Sequence, residues 1–204
     1  MIQLNKTFKH SDYIKSKSIS KFTSELSKHF DTWIYILDNL DSTPKIQKNN
    51  QFSQLFSNKY GEIIFIFDIS KVNKFLNKNK EFKPISKNFY DFICSKIKFS
   101  ETNYSTKHIY STLPIYLVEF TNFNLVIDGN HRINAKLYST YRRNVSYFIF
   151  TYNVAYKFIP HEYQKAIYII LHELYYAENN LDTYENIIKN SPLYTDFSDY
   201  LDKG

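Results

Sequence analysis

The stretch "LVIDGNHRIN" (125–134) ends an apolar run on a carboxylate and a glycine, then continues with an amide, an imidazole and a guanidinium. Residues 125–128 suit a buried strand, and Ile133 and Leu137 fall on one face of a helix expected from about Asn130 to Tyr138. Asp-Gly between them is turn chemistry. A strand that enters a helix this way leaves the first helical N–H groups without internal partners, beside the positive end of the helix dipole. Such an end attracts anions. Gly129 lets the chain turn without a Cβ clash and lets a phosphate approach the backbone. Arg132 can offer a planar fork to phosphate oxygens, which lysine cannot copy. His131 can donate a hydrogen bond or carry a proton near neutral pH. Asp128 can orient either side chain, cap the helix or help to hold a metal.

Composition sharpens this reading. The chain has 204 residues, 3 Gly and 26 Lys plus Arg, and its only arginines are Arg132, Arg142 and Arg143. Where a composition disfavours a residue type, its local survival points to a need that Lys or Asn would not meet. The net charge of +6 is read first as drift and solubility in a Lys/Asn-rich chain, and second as a nucleic-acid footprint. Aromatic residues make up 19% of the chain, enough to build a core, so the many tyrosines are read as core or half-buried surface. One cysteine, Cys94, excludes an internal disulfide framework and is expected to be inert in an apolar helix. The N-terminus shows no secretory apolar region and no run is long enough to span a bilayer, so a cytoplasmic protein without membrane contact is expected.

Outward from the motif, "PIYLVEF" (114–120) reads as a strand antiparallel to 125–128, and "NVSYFIFTYN" (144–153) as a further strand. "EIIFIFD" (62–68) is another, with Asp68 or Ser70 capping a helix after it. A helix is expected after Pro84, through residue 97. Helical spacing of Phe22, Leu26, Phe30, Trp33 and Leu37 marks an N-terminal helix. Ile167, Ile170, Leu171 and Leu174 mark a C-terminal one starting near Pro160, and a shorter helix covers 183–189. The first eighteen residues read as loosely ordered and 38–51 as a loop. The expected fold is α+β, a small curved mixed sheet with packed helices, organised as an N-terminal helical extension (1–58), a core (60–152) and a C-terminal helical segment (155–204).

"PIYLV", a short turn, "LVIDGNHRINA" and "YRRNVSYFIF" together resemble the ParB/sulfiredoxin-like superfamily. Its members carry a strand ending in a D-G-x-H-R-x-x-A-like turn, then a helix and a strand. Asp128, Gly129, His131, Arg132 and Ala135 fall on those positions, and the likeness covers roughly residues 60–152. It implies a phosphate-binding turn and a nucleotide such as ATP or CTP, with Mg²⁺ to offset phosphate charge. Sulfiredoxins place a reacting cysteine where this chain has Asn130, so sulfinic-acid repair is not expected. No partition-protein box or following helix-turn-helix is evident either.

The functional expectation is therefore a nucleoside triphosphate hydrolase or phosphotransferase. His131 and Asp128 are its candidate catalytic residues, and Gly129, Asn130, His131 and Arg132 its phosphate-binding residues. The alternative is a nucleic-acid-binding factor or nuclease of a mobile element that grips a backbone phosphate, or a non-catalytic interaction module. Arg142 and Arg143 are expected at the C-terminal end of the motif helix or in solvent. His161-Glu162 and His172-Glu173 lack zinc-site spacing, and His172 reads as an interfacial histidine.

Overall fold

The structure, a computed structural model, describes residues 7–17, 22–43, 50–103, 105–139 and 144–203. Arg142 and Arg143 lie outside the described residues. Helices α1 (His10–Ser16) and α2 (Ser24–Asn39) come first, then strands β1 (Gln51–Asn58) and β2 (Gly61–Asp68). Helix α3 (Ile69–Lys78), strand β3 (Ile85–Lys87), the short helix α4 (Phe89–Ile93) and strand β4 (Ile97–Lys98) follow. Strands β5 (Ile115–Phe120) and β6 (Phe123–Asp128) lead into α5 (Asn130–Leu137) and β7 (Val145–Phe150). The chain ends with α6 (Tyr152–Ala155), α7 (Glu162–Glu178), α8 (Tyr184–Asn190) and α9 (Leu193–Asp196). This is an α+β protein. It divides into two compact units, one of Met1–Lys48, Ser53–Ile66 and Ile159–Gly204, the other of Asn49–Phe52 and Phe67–Phe158. The N- and C-terminal segments, expected as separate pieces, thus share one unit.

The first unit is mostly helical. Thr23 caps α2 by accepting from the Leu26 N–H. The helix buries Leu26, Phe30, Trp33 and Leu37, as their spacing predicts, and α7 buries Ile167, Ile170, Leu171 and Leu174. Helix α7 begins at Glu162, two residues later than a start at Pro160 would give. Glu173 of α7 is fully buried. Its Oε2 accepts from Trp33 Nε1 at 2.8 Å and from His29 Nε2 at 2.9 Å. The other nitrogen of His29 lies 3.2 Å from the Tyr194 hydroxyl. His172, expected at an interface, is fully buried, with Nδ1 2.7 Å from the Tyr168 carbonyl. Two expectations need correction here. Residues 10–16 are helical, not loosely ordered, because Phe8 and Ile14 are buried anchors within a polar stretch. Residues 51–58 form a strand; the alternation of half-buried and exposed positions that makes β1 is hidden by its Ser, Gln and Asn content.

The second unit holds a five-stranded mixed sheet in the order β3-β7-β5-β6-β4. Strands β5 and β6 are antiparallel, with Thr121 turning at φ 51°; β5 and β7 are parallel; β3 and β4 close the edges. Phe89, Phe92, Ile115, Leu117, Val126 and Ile133 form the core between sheet and helices. Asp68 caps α3 by accepting from the Ser70 N–H. The strand at 61–68 is not part of this sheet: it pairs with β1 in a separate two-stranded one. The long helix expected after Pro84 is also absent. Asn88 is extended and caps only five residues, and the flanking segments pair with β7 and β6 instead. Tertiary pairing overrides the helical pattern there. Cys94 is consequently exposed at the end of α4, not inside an apolar helix.

Candidate functional site

The sheet unit positions the 125–134 stretch as expected: β6 ends at Asp128, Gly129 turns the chain, and α5 starts at Asn130. Gly129 has φ 105° and ψ 8°. A Cβ there would meet Ile115 side-chain atoms at 2.9 and 3.1 Å and Arg132 Nη2 at 3.2 Å. Glycine is thus required by both the backbone and the packing behind the turn. A register shift between Tyr116 and Leu117 pairs Tyr116 with Asp128 across the β5–β6 ladder.

The five candidate residues take different tasks. Arg132 is buried; its Nη2 donates to Asp128 Oδ2 at 2.7 Å and its Nη1 to the Pro114 carbonyl at 2.9 Å. Asp128 therefore orients Arg132 and leaves the helix start to Gly129. Asn130 is buried and faces the protein: its Oδ1 accepts from the Ser100 N–H at 2.8 Å and its Nδ2 donates to the Val126 carbonyl at 3.3 Å. Asn134 adds a bond to the Ser100 carbonyl at 3.0 Å. These two amides fasten the segment near residue 100, from which Asn103 presents its carbonyl 3.0 Å from His131 Nδ1. A carbonyl only accepts, so Nδ1 of the exposed His131 donates this bond.

A residue that the motif did not reveal stands beside it. His108 ends a 3-10 turn (Thr106–His108), and its ring stacks near that of His131, centroids 5.8 Å apart at 29°. Partial burial lowers the pKa of His108, and the positive charges of Lys107, His131 and Arg132 lower it further. Both imidazoles open on a cleft of about 320 Å³, which Asp128, Gly129, Arg132 and Tyr116 also line. The Tyr116 hydroxyl donates to Asn73 Oδ1 at 3.0 Å; burial, then the Asp128 charge, raises its pKa. No sequence signal singles out His108, which lies in a polar loop twenty-three positions before His131.

Among the described residues Asp128 is the one carboxylate lining this cleft. Among the described residues no group of three or more His, Cys, Asp or Glu could hold a metal by itself. Mg²⁺ commonly takes one or two carboxylates together with substrate phosphates, so Asp128 fits that partial role. No helix among the described residues is long and apolar enough to cross a membrane. Comparison with known proteins finds no matching family model, no matching curated protein and no matching solved structure.

Proposed function

We propose that the sheet unit binds a phosphate ester, a nucleoside triphosphate foremost, in the cleft at the 128–132 turn, and hydrolyses it or transfers its phosphoryl group. The observation that carries this reading is the pair of imidazoles, His108 and His131, over a cleft that also contains Arg132 and the start of α5. The β6–α5–β7 order agrees with the ParB/sulfiredoxin-like resemblance, which supplies the nucleotide and the Mg²⁺. In this reading His131 Nε2 accepts a proton from the attacking water or hydroxyl, and His108 donates one to the departing oxygen. Arg132 and the first N–H groups of α5 stabilise the charge that develops on the phosphoryl oxygens. Asp128 keeps Arg132 in place and contributes to the ion that accompanies the phosphates.

A melting-temperature panel of ATP, CTP and their analogues, with and without Mg²⁺, tests binding, because a ligand held only by the folded state raises apparent stability. His131→Ala should lower turnover by roughly 10²–10⁴-fold with a smaller loss of affinity. Unchanged turnover would remove the catalytic role. Burial and then the neighbouring positive charges hold the His108 pKa down, and a bound anion would oppose the second of these causes. Affinity should therefore rise as pH falls through the histidine range.

A second reading, cleavage or holding of a nucleic-acid strand, draws on the loop after His108. Tyr110 is 69% exposed and Leu113 68% exposed there, a platform on which a base could stack. Binding that weakens steeply with salt would favour it over a free nucleotide.

A further inference from the structure

A second cavity of about 270 Å³ shares Arg132 with the cleft but is lined by a different chemistry. Lys136 lines it from α5, one helical turn beyond Arg132 and on the same face. Its side chain is 4% exposed, and its ammonium donates one bond, to the Ile109 carbonyl at 3.0 Å. An ammonium has three donors. Among the described residues no carboxylate lies within ion-pair distance of it. Ser86, Ser111, Thr112 and Ser146 add hydroxyls and Asn144 an amide to the polar wall, and among the described residues no acidic one lines the cavity.

A buried cation without a counter-charge is unfavourable unless something supplies one. We propose that this cavity is an oxyanion site, which takes a phosphate or carboxylate group between Lys136 and Arg132 with the hydroxyls as further donors. Arg132 uses one terminal nitrogen on Asp128 and the other on Pro114, and a guanidinium has five N–H donors, so it can join the anion without releasing either. The lining, two cations with hydroxyl donors, suits an inorganic oxyanion or the ionised end of a small metabolite. Burial pushes the Lys136 pKa down, the consequence of an ammonium that still lacks its anion. The site shares Arg132 with the proposed nucleotide cleft, but neither His131 nor His108 lines it, so His131→Ala tells the two apart.

The test is a titration of the full chain with inorganic phosphate, sulfate, acetate and malonate, read by melting temperature and by calorimetry. Wild type and His131→Ala should both be stabilised by at least one of these anions. Lys136→Met should be about ten- to a hundredfold weaker for that anion while melting no lower than wild type without it. A preference for the tetrahedral anions over the carboxylates identifies a phosphate site, and the reverse a carboxylate site. Ser146→Val, which replaces one hydroxyl donor with methyl groups and leaves the cation in place, should also weaken the binding and covers the case in which Lys136→Met fails to fold. No stabilisation of the wild type by any of the anions, or equal stabilisation of the variants, overturns the proposal. Loss of nucleotide turnover in His131→Ala with oxyanion binding intact would leave it standing.

Discussion

Glu173 in the helical unit and Lys136 in the sheet unit meet burial in opposite ways. The carboxylate is fully enclosed, yet one of its oxygens accepts from both the Trp33 indole and the His29 imidazole. The ammonium is nearly as enclosed and has one carbonyl for company. Buried charge is tolerated when it is paired and hydrogen-bonded. By that standard Glu173 is an internal strut, and its second oxygen, which has no partner, is a local shortfall within a satisfied cluster. Lys136 lines open space beside another cation, where the proposed oxyanion would supply the missing counter-charge.

The largest effect should come from breaking the strut. Glu173→Ala leaves the Trp33 and His29 donors without their acceptor inside a closed core, and should cost about 3–5 kcal/mol in chemical denaturation. A loss under about 1 kcal/mol would mean that the two buried charges do not differ in kind. At the sheet unit's turn, Gly129→Ala places a methyl at φ 105° against Ile115 and should cost about 1–3 kcal/mol. Lys136→Met removes the uncompensated charge and keeps the apolar stem, so the ligand-free variant should range from unchanged to about 1 kcal/mol more stable.

The same residue gives a pH dependence of defined sign. The folded Lys136 pKa lies below its unfolded value, so the unfolded chain binds the extra proton in the interval between them. Without an anion, wild-type stability should gain on Lys136→Met as pH rises through that alkaline interval, and saturating phosphate should remove the gain. Parallel profiles for the two proteins would contradict the unpaired-cation account. The smallest effect belongs to Asp128→Asn. Its carboxylate is 41% exposed, so losing the Arg132 pair should cost under about 1 kcal/mol of stability and show mainly as weaker ligand binding.

Much of the sheet unit was legible because its chemistry is local. The apolar run to Ile127, the Asp-Gly break and the Ile133–Leu137 spacing define β6, the turn and α5 within thirteen residues. Strand β1 was not legible, since only pairing with β2 makes its polar alternation a strand. Residues 85–98 carry a helical pattern that edge pairing to β7 and β6 interrupts. At the site, Arg132 and Asp128 could be named from the motif, but Asn130 proved to be a clamp on the Ser100 segment. Nothing in the sequence marks Lys136, whose ammonium meets the carbonyl of Ile109 twenty-seven positions away. Glu173 and its partners on α2 are about 140 positions apart, a distance at which no local pattern speaks.

Gly129 also has a consequence for how this chain can change over generations. Every one-base substitution of a glycine codon that alters the residue adds a Cβ, if it does not end the protein. At this position each such Cβ would point at Ile115 in a backbone conformation that L-residues avoid. Enlarging the space by trimming Ile115 relieves the contact but not the torsion, so no single second-site change restores the turn. In a coding sequence drifting away from glycine, this codon has no neighbour to drift to, and a saturation library should return it almost empty of alternatives.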